Sequence, residues 1–213
     1  MTERQDKVWY ACYGSNLLEE RFLCYIQGGQ PKGANTIYNG CIDKSSPVNK
    51  EEIYINAELY FARSSKNWDN GGVSFIKTKF EPQVQTLGRM YLITKQQLID
   101  IARQETNTAS PLEINFEKAI EKGFVIYKPH SWYGNLIYLG TQDDFPIFTL
   151  TNEQNYQPEA KPSAGYLITI AKGIKETYNL TQIEMVEYFM EKAGVKGNYR
   201  KQDLIEVLSR IDK

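Results

Sequence analysis

The apolar run Val8-Trp9-Tyr10-Ala11-Cys12-Tyr13 breaks without transition into Gly14-Ser15-Asn16, and this junction constrains the fold more than any other feature of the chain. Every position of the run is apolar or aromatic, so it reads as a strand covered on both faces. Gly14 can adopt a positive φ and admits another group close to the backbone. Asn16 followed by Glu19 resembles a capping box. It predicts a helix that starts there and carries Leu18, Phe22, Tyr25 and Ile26 on one face. The first-turn N–H groups of such a helix, with those of the loop, make an anion or oxyanion site. A buried first strand with an ordinary turn gives the same local pattern, so the remainder of the chain has to decide.

At 213 residues the chain is long enough for one domain with a proper core. The expectation is a single domain over residues 1–213, with 172–213 as a helical C-terminal end. Lys and Arg number 25 against 26 Asp and Glu, a net charge of -1 that gives a nucleic acid no electrostatic footing. A small molecule is the expected partner; the oligomeric state is left open, a homodimer included. Cys12, Cys24 and Cys41 are odd in number and lack CxxC spacing, which speaks against a disulfide framework and a structural zinc site. Free thiols fit a reducing cytosol. The N-terminal residues are charged, with no apolar signal core and no run of membrane-spanning length, so a soluble, cytoplasmic protein without membrane contact is expected.

Along the chain, Gly28-Gly29-Gln30-Pro31-Lys32-Gly33 breaks the first helix, and residues 34 to 52 read as a long polar excursion. Strands are predicted at 53–55, 57–62, 72–76 and 86–93, with Asn70-Gly71-Gly72 as a turn. Regular short strands favour an antiparallel or mixed sheet, one able to close into a barrel. From Thr94 the period becomes helical. Thr94 and Gln97 make a capping box, and Leu98, Ile101, Ala102 and Glu105 fall on one stripe. A carboxylate completing an apolar stripe is costly to ionise, which suits a general base near neutral pH. The alternative is that the helix stops at Arg103 and Glu105 points to solvent. A helix at 111–122, strands at 124–127, 135–140 and 146–151, and helices at 181–193 and 201–211 complete the reading. Tyr166-Leu167-Ile168-Thr169-Ile170 reads as strand or helix, its β-branched residues favouring strand.

Chemistry is narrowed by what the chain lacks. His130 is the single histidine, so a Ser15 or Cys12 nucleophile has one candidate base, and zinc has no usual ligand set. There is no Gly-rich phosphate loop of either nucleotide type. Cys12, on the strand, reads as a small core residue. Backbone donors, hydroxyls and a carboxylate remain, a set suited to proton transfer at a small polar substrate.

Tyr13-Gly14-Ser15-Asn16-Leu17 closing an N-terminal aromatic strand resembles the signature of the γ-glutamylcyclotransferase-like family. Three further segments are similar to elements of that family, in the right order: Trp68-Asp69-Asn70-Gly71-Gly72-Val73, Gly88 through Glu105, and Pro162-Ser163-Ala164-Gly165-Tyr166. The resemblance covers roughly residues 7 to 193 and implies an α+β fold, a small mixed or antiparallel β-barrel flanked by helices. It further implies a cyclotransferase that converts an L-γ-glutamyl amide, amino acid or peptide to 5-oxoproline and a free amine. The substrate's own α-amine attacks, with no metal and no cofactor. By resemblance Glu105 is the general base, while Tyr13, Gly14, Ser15, Asn16, Leu17 and Tyr166 bind substrate.

The chain departs from the family pattern in four places. Thr106 follows the glutamate where glycine is frequent, Cys12 stands where alanine is usual, residues 34 to 52 look inserted, and Phe148 takes the place of a substrate-facing tyrosine. Two rival readings accompany the first: a non-catalytic small-metabolite binding module of the same fold, and an acyl hydrolase using Ser15 or Cys12 with His130.

Overall fold

In the computed structural model, which describes residues 6–32, 34 and 36–211, strand β1 (Lys7–Cys12) is buried from Val8 through Cys12, as its unbroken apolar run requires. The charged segment Met1–Gln5 and Gly33 of the breaker lie outside the described residues. Two compact units form, one within residues 1–12, 20–53 and 89–154, the other within 13–19, 54–88 and 155–213.

The first unit is built on a curled, mainly antiparallel six-stranded sheet in the order β2 (Asn49–Ile55), β5 (Thr86–Thr94), β1, β8 (Phe145–Thr151), β7 (Asn135–Gln142), β6 (Phe124–Ile126). β1 runs antiparallel to β5, with Lys7 opposite Thr94 and Cys12 opposite Arg89, and parallel to β8 through Trp9–Ile147 and Tyr10–Phe148. Helices α1 (Glu19–Gln27), α2 (Lys95–Glu105) and α3 (Phe116–Lys122) supply the apolar stripes that cover it. Phe22 of α1 stacks on Tyr91 of β5 at 3.9 Å between ring centroids, and both are fully buried. Each such side chain contributes about 1.5–3 kcal/mol of transfer free energy. Phe148 is fully buried between Phe116 and Tyr138, with ring centroids at 5.3 and 5.7 Å.

The second unit holds the antiparallel pair β3 (Ala57–Ser65) and β4 (Gly71–Phe80), joined through a 3-10 turn at Lys66–Trp68, together with α4 (Ala164–Tyr178), α5 (Gln182–Met190) and α6 (Lys201–Leu208). Tyr60, Phe61, Phe75, Phe189 and Leu204 are fully buried in it.

Three local expectations are corrected. The first helix does not start at Asn16: Ser15–Leu17 form a 3-10 turn closed by Leu17 N–H to the Gly14 carbonyl (3.0 Å), and α1 begins at Glu19. The helix predicted from residue 111 begins only at Phe116, because the Asn115 side chain accepts the Lys118 N–H (2.8 Å) and ends the extended segment there. The Tyr166–Ile170 segment is helical, inside the fifteen residues of α4. Ser163 caps it by accepting the Tyr166 N–H (3.2 Å), and Tyr166, Leu167, Ile170, Ala171 and Ile174 form one buried face. A helix-long apolar stripe outweighs the few tenths of a kcal/mol by which β-branched residues disfavour a helix.

Candidate active site

The loop that follows β1 belongs to the second unit, and its conformation is set by β4 and α4. At Gly14 the backbone passes so close to Ser74 that a Cβ would lie 2.3 Å from Ser74 Oγ and 3.2 Å from Tyr166 Oη. Ser74 Oγ and Tyr166 Oη are themselves hydrogen bonded at 2.7 Å, and Tyr166 Oη also accepts the Ser74 N–H at 3.2 Å. Tyr166 is buried beside Trp68 (4.6 Å between centroids) and edge-on to Phe61 (6.1 Å). Its hydroxyl therefore anchors β4 against the Gly14 backbone. Behind the loop, Gly173 of α4 lets the helix meet the 3-10 turn directly: a Cβ there would sit 2.4 Å from the Leu17 carbonyl carbon and 2.4 Å from the Leu18 nitrogen. Leu17 and Asn16 are buried, Tyr13 is 4% exposed, and Ser15 is half-buried. The Glu19 N–H at the head of α1 is taken by the Glu176 carboxylate at 3.3 Å, so one donor expected to face an anionic ligand is satisfied from within the protein.

Glu105 belongs to the first unit. The α2 capping box forms as expected, Thr94 Oγ1 accepting the Gln97 N–H (3.1 Å) and Gln97 Oε1 accepting the Thr94 N–H (3.0 Å). The helix runs through to Glu105, half-buried at its last position, beyond fully buried Leu98, Ile101 and Ala102. The residues on both sides of it are held. Gln104 Nε2 donates to the Tyr25 carbonyl (3.0 Å) and its Oε1 accepts the Gly40 N–H (3.3 Å). Thr106 caps the helix with its hydroxyl on the Ala102 carbonyl (2.8 Å), and Lys128 Nζ donates to the Thr106 carbonyl (2.9 Å).

Three tyrosines lie within electrostatic reach of this carboxylate. Burial pushes the phenols of Tyr25, Tyr38 and Tyr127 up, and the negative charge of Glu105 adds to the effect in all three. They remain hydroxyl donors at any physiological pH. Arg21 Nη2 donates to Tyr38 Oη (2.8 Å), and Tyr25 Oη donates to the same oxygen (3.2 Å). Cys12, buried and donating its thiol to the Arg89 carbonyl (3.1 Å), is pushed up to about 12 by desolvation, so it is no thiolate nucleophile. His130 is 84% exposed in its side chain and lies 3.2 Å from Glu153. Among the described residues no group of three His, Cys, Asp or Glu side chains could hold a metal ion, and no helix is long and apolar enough to cross a membrane.

Ser74, Arg21 and Tyr38 escaped the sequence reading. Ser74 is a polar residue inside the apolar run of β4, and Arg21 is a charge four residues before Tyr25 on the buried side of α1; those are the available signals. Tyr38, in the irregular excursion, leaves none.

No protein-family model matches the chain. It is 36% identical over 207 residues to a protein of Arabidopsis thaliana named histone deacetylase 5, an alignment that takes in 89% of this chain and 31% of that protein. The chain thus spans about a third of the length of this curated relative. Among solved structures it is similar to one named gamma-glutamyl cyclotransferase, with a TM-score of 0.52 and 19% identity over 94% of this chain and 99% of that one. An uncharacterized human protein also has a TM-score of 0.52, with 20% identity over 98% of this chain and 99% of that one. The fold is γ-glutamylcyclotransferase-like. At these identities the likeness concerns the fold, and chemistry has to be argued from the residues. In terms of that fold, the Tyr13–Leu17 loop, the Ser163–Tyr166 helix start and the end of the Glu105 helix each fold as a well-packed local structure.

Proposed function

We propose that the chain is a γ-glutamyl cyclotransferase acting on an L-γ-glutamyl amide, amino acid or peptide. The observation that carries this reading is the packing at Gly14, where Ser74 and Tyr166 leave no room for a side chain and hold the backbone of the Tyr13-Gly14-Ser15-Asn16-Leu17 turn. A preorganised turn of backbone donors suits a carboxylate or a developing oxyanion, because its N–H groups need no reorganisation when charge appears. The α-amine of the substrate attacks its own γ-carbonyl, forming the lactam C–N bond and expelling the amine. Folding the flexible glutamyl chain into this shape supplies much of the acceleration. Glu105 takes a proton from the α-ammonium, freeing the amine to attack, and returns one to the leaving amine. Neither a metal nor a cofactor enters the chemistry, and the compartment we assign is the cytoplasm. Phe148, fully buried, offers no hydroxyl, so the polar grip on substrate falls to the loop.

Incubation with a panel of γ-glutamyl amides should release 5-oxoproline with at least one of them. Glu105→Gln should lower that release by about 10²–10⁴-fold, the usual contribution of a positioned general base, with an unchanged melting temperature. Undiminished turnover in this variant would sink the assignment.

A second reading is favoured by one observation, the match to a third of a protein whose name refers to histone deacetylase. On this reading the chain is a module that binds a γ-glutamyl-like metabolite without turning it over. It predicts ligand affinity with no 5-oxoproline from any member of the panel.

A further inference from the structure

Within the first unit, a cleft of about 490 Å³ lies between the excursion (Thr36–Ile42) and one side of α2 with the turn that follows it. Its volume is in the range of small-molecule sites. None of Tyr13–Leu17, Glu105 or Tyr166 lines it. The walls are fixed by buried polar contacts: Asp100, 4% exposed, accepts the Ile42 N–H (2.9 Å) and the Gln96 amide (3.2 Å), and Gln104 accepts the Gly40 N–H (3.3 Å). The excursion is thus pinned to α2 at two consecutive even positions, 40 and 42.

Arg103, on the α2 wall, is far from satisfied. Its guanidinium makes one hydrogen bond among the described residues, Nη2 to the Ala109 carbonyl (3.1 Å). Its carboxylate neighbour Asp100 lies at 3.7 Å, with both oxygens already engaged, and its Nε–H is buried without an acceptor among the described residues. About a third of the side chain is exposed, and Nη1 has no contact shorter than its 3.7 Å to Asp100 Oδ1 among the described residues. A second cation stands behind the same turn, Lys128 Nζ donating to Thr108 Oγ1 and to the Thr106 carbonyl. Around the guanidinium, the cleft offers the side-chain amides of Asn39 and Asn107, with no hydrogen bond of their own among the described residues, and Ile37 and Ile42, which are 72% and 79% exposed.

We infer that this cleft is a binding site for a small carboxylate of the N-acyl amino acid class, its carboxylate on Arg103, its amide on Asn39 or Asn107, and its apolar side chain on Ile37 and Ile42. A planar guanidinium fork with unused donors matches a carboxylate in a way a lysine cannot. The exposed isoleucines give the ligand an apolar flank to cover. The inference rests on the first unit alone and is independent of the cyclotransferase reading.

The test uses the whole chain, isotopically labelled, titrated with N-acetyl-L-leucine and followed by NMR at the Arg103 Nε–H and the backbone amides of Gly40 and Ile42. Saturable shifts at those groups are expected, with a Kd on the order of millimolar for a ligand of this size. N-acetyl-L-leucinamide, which lacks the carboxylate, should leave the Arg103 signal in place, and acetate alone should bind too weakly to saturate. Arg103→Lys, which keeps the charge and loses the fork, should weaken binding about tenfold. Asn39→Asp, an exposed change of charge only, should weaken it about fivefold and serves if the first variant fails to fold. Absence of shifts up to about ten times the expected Kd overturns the site. Equal response to the amide, equal saturation by acetate, or unaltered binding in a folded Asn39→Asp overturns the assigned ligand class.

Discussion

Replacing Gly14 by alanine tests the packing on which the functional reading rests. The φ of Gly14 is -114°, outside the left-handed region, and an added Cβ meets a steric obstacle. A Cβ would lie 2.3 Å from Ser74 Oγ, more than an ångström inside ordinary contact. Ser74 has to rotate away, breaking its 2.7 Å bond to Tyr166 in a buried site. Overpacking typically costs about 1–3 kcal/mol, and loss of one buried hydrogen bond adds about 0.5–1.5 kcal/mol. Gly14→Ala should therefore destabilise by about 2–4 kcal/mol, which for a chain of this size lowers the melting temperature by several degrees. Ser74→Ala alone removes Oγ but leaves the position 74 N–H donating to Tyr166, so it should cost about 1 kcal/mol. The double variant loses the severe clash, leaving the added Cβ a tight 3.2 Å from Tyr166 Oη, which has to shift by a few tenths of an ångström, and an ordinary 3.6 Å from the position 74 Cβ. It should be no less stable than Ser74→Ala by more than about 1 kcal/mol, a coupling of about 1–3 kcal/mol relative to the sum of the singles. Denaturant unfolding of the four proteins measures this directly. Additive losses would refute the close approach of Gly14 to Ser74.

Two further outcomes follow from the first unit. Burial holds the thiols of Cys12 and Cys41 up at about 12 in the folded protein, against 9.0 unperturbed. The folded state therefore keeps protons that the unfolded chain releases, and stability falls as pH rises from 9 toward 12. Replacing either cysteine by alanine should flatten that fall by about 1.4 kcal/mol per pH unit within the window, read from denaturant midpoints at stepped pH. In the α2 capping box, Thr94→Ala should cost about 1 kcal/mol. Gln97→Ala should cost more and raise hydrogen exchange around residues 43–46, because the Gln97 amide also donates to the carbonyls of Asp43 (3.1 Å) and Ser45 (2.9 Å).

Much of the chain is legible residue by residue. β1 follows from an apolar run without polar breaks, and α2 follows from a cap and a 3.6-residue stripe, because both are short-range patterns whose energetic cause lies within a few residues. That stripe also located Glu105, and the helix reaches it where an equally local alternative stopped it at Arg103. At the start of α1 the Asn16–Glu19 spacing allows a capping box, whereas Gly173 of α4 presses on the backbone of Leu17 and Leu18, where the chain forms a 3-10 turn. α4 was ambiguous over five residues because strand and helix place apolar side chains equally well in so short a window.

By itself, then, the sequence determined the α+β class, most of the elements, and the loop and carboxylate on which a function can be argued. Only tertiary structure decided what holds them. Ser74 meets Tyr166 across 92 residues and Gln104 meets the Tyr25 carbonyl across 79, and no local pattern encodes such a pairing. The excursion, which reads as an insertion with its role left open, becomes one wall of a polar cleft because Asp100 and Gln104 take its backbone N–H groups. Local propensity places a residue on an element, but which side chains share a hydrogen bond is fixed by how distant elements pack.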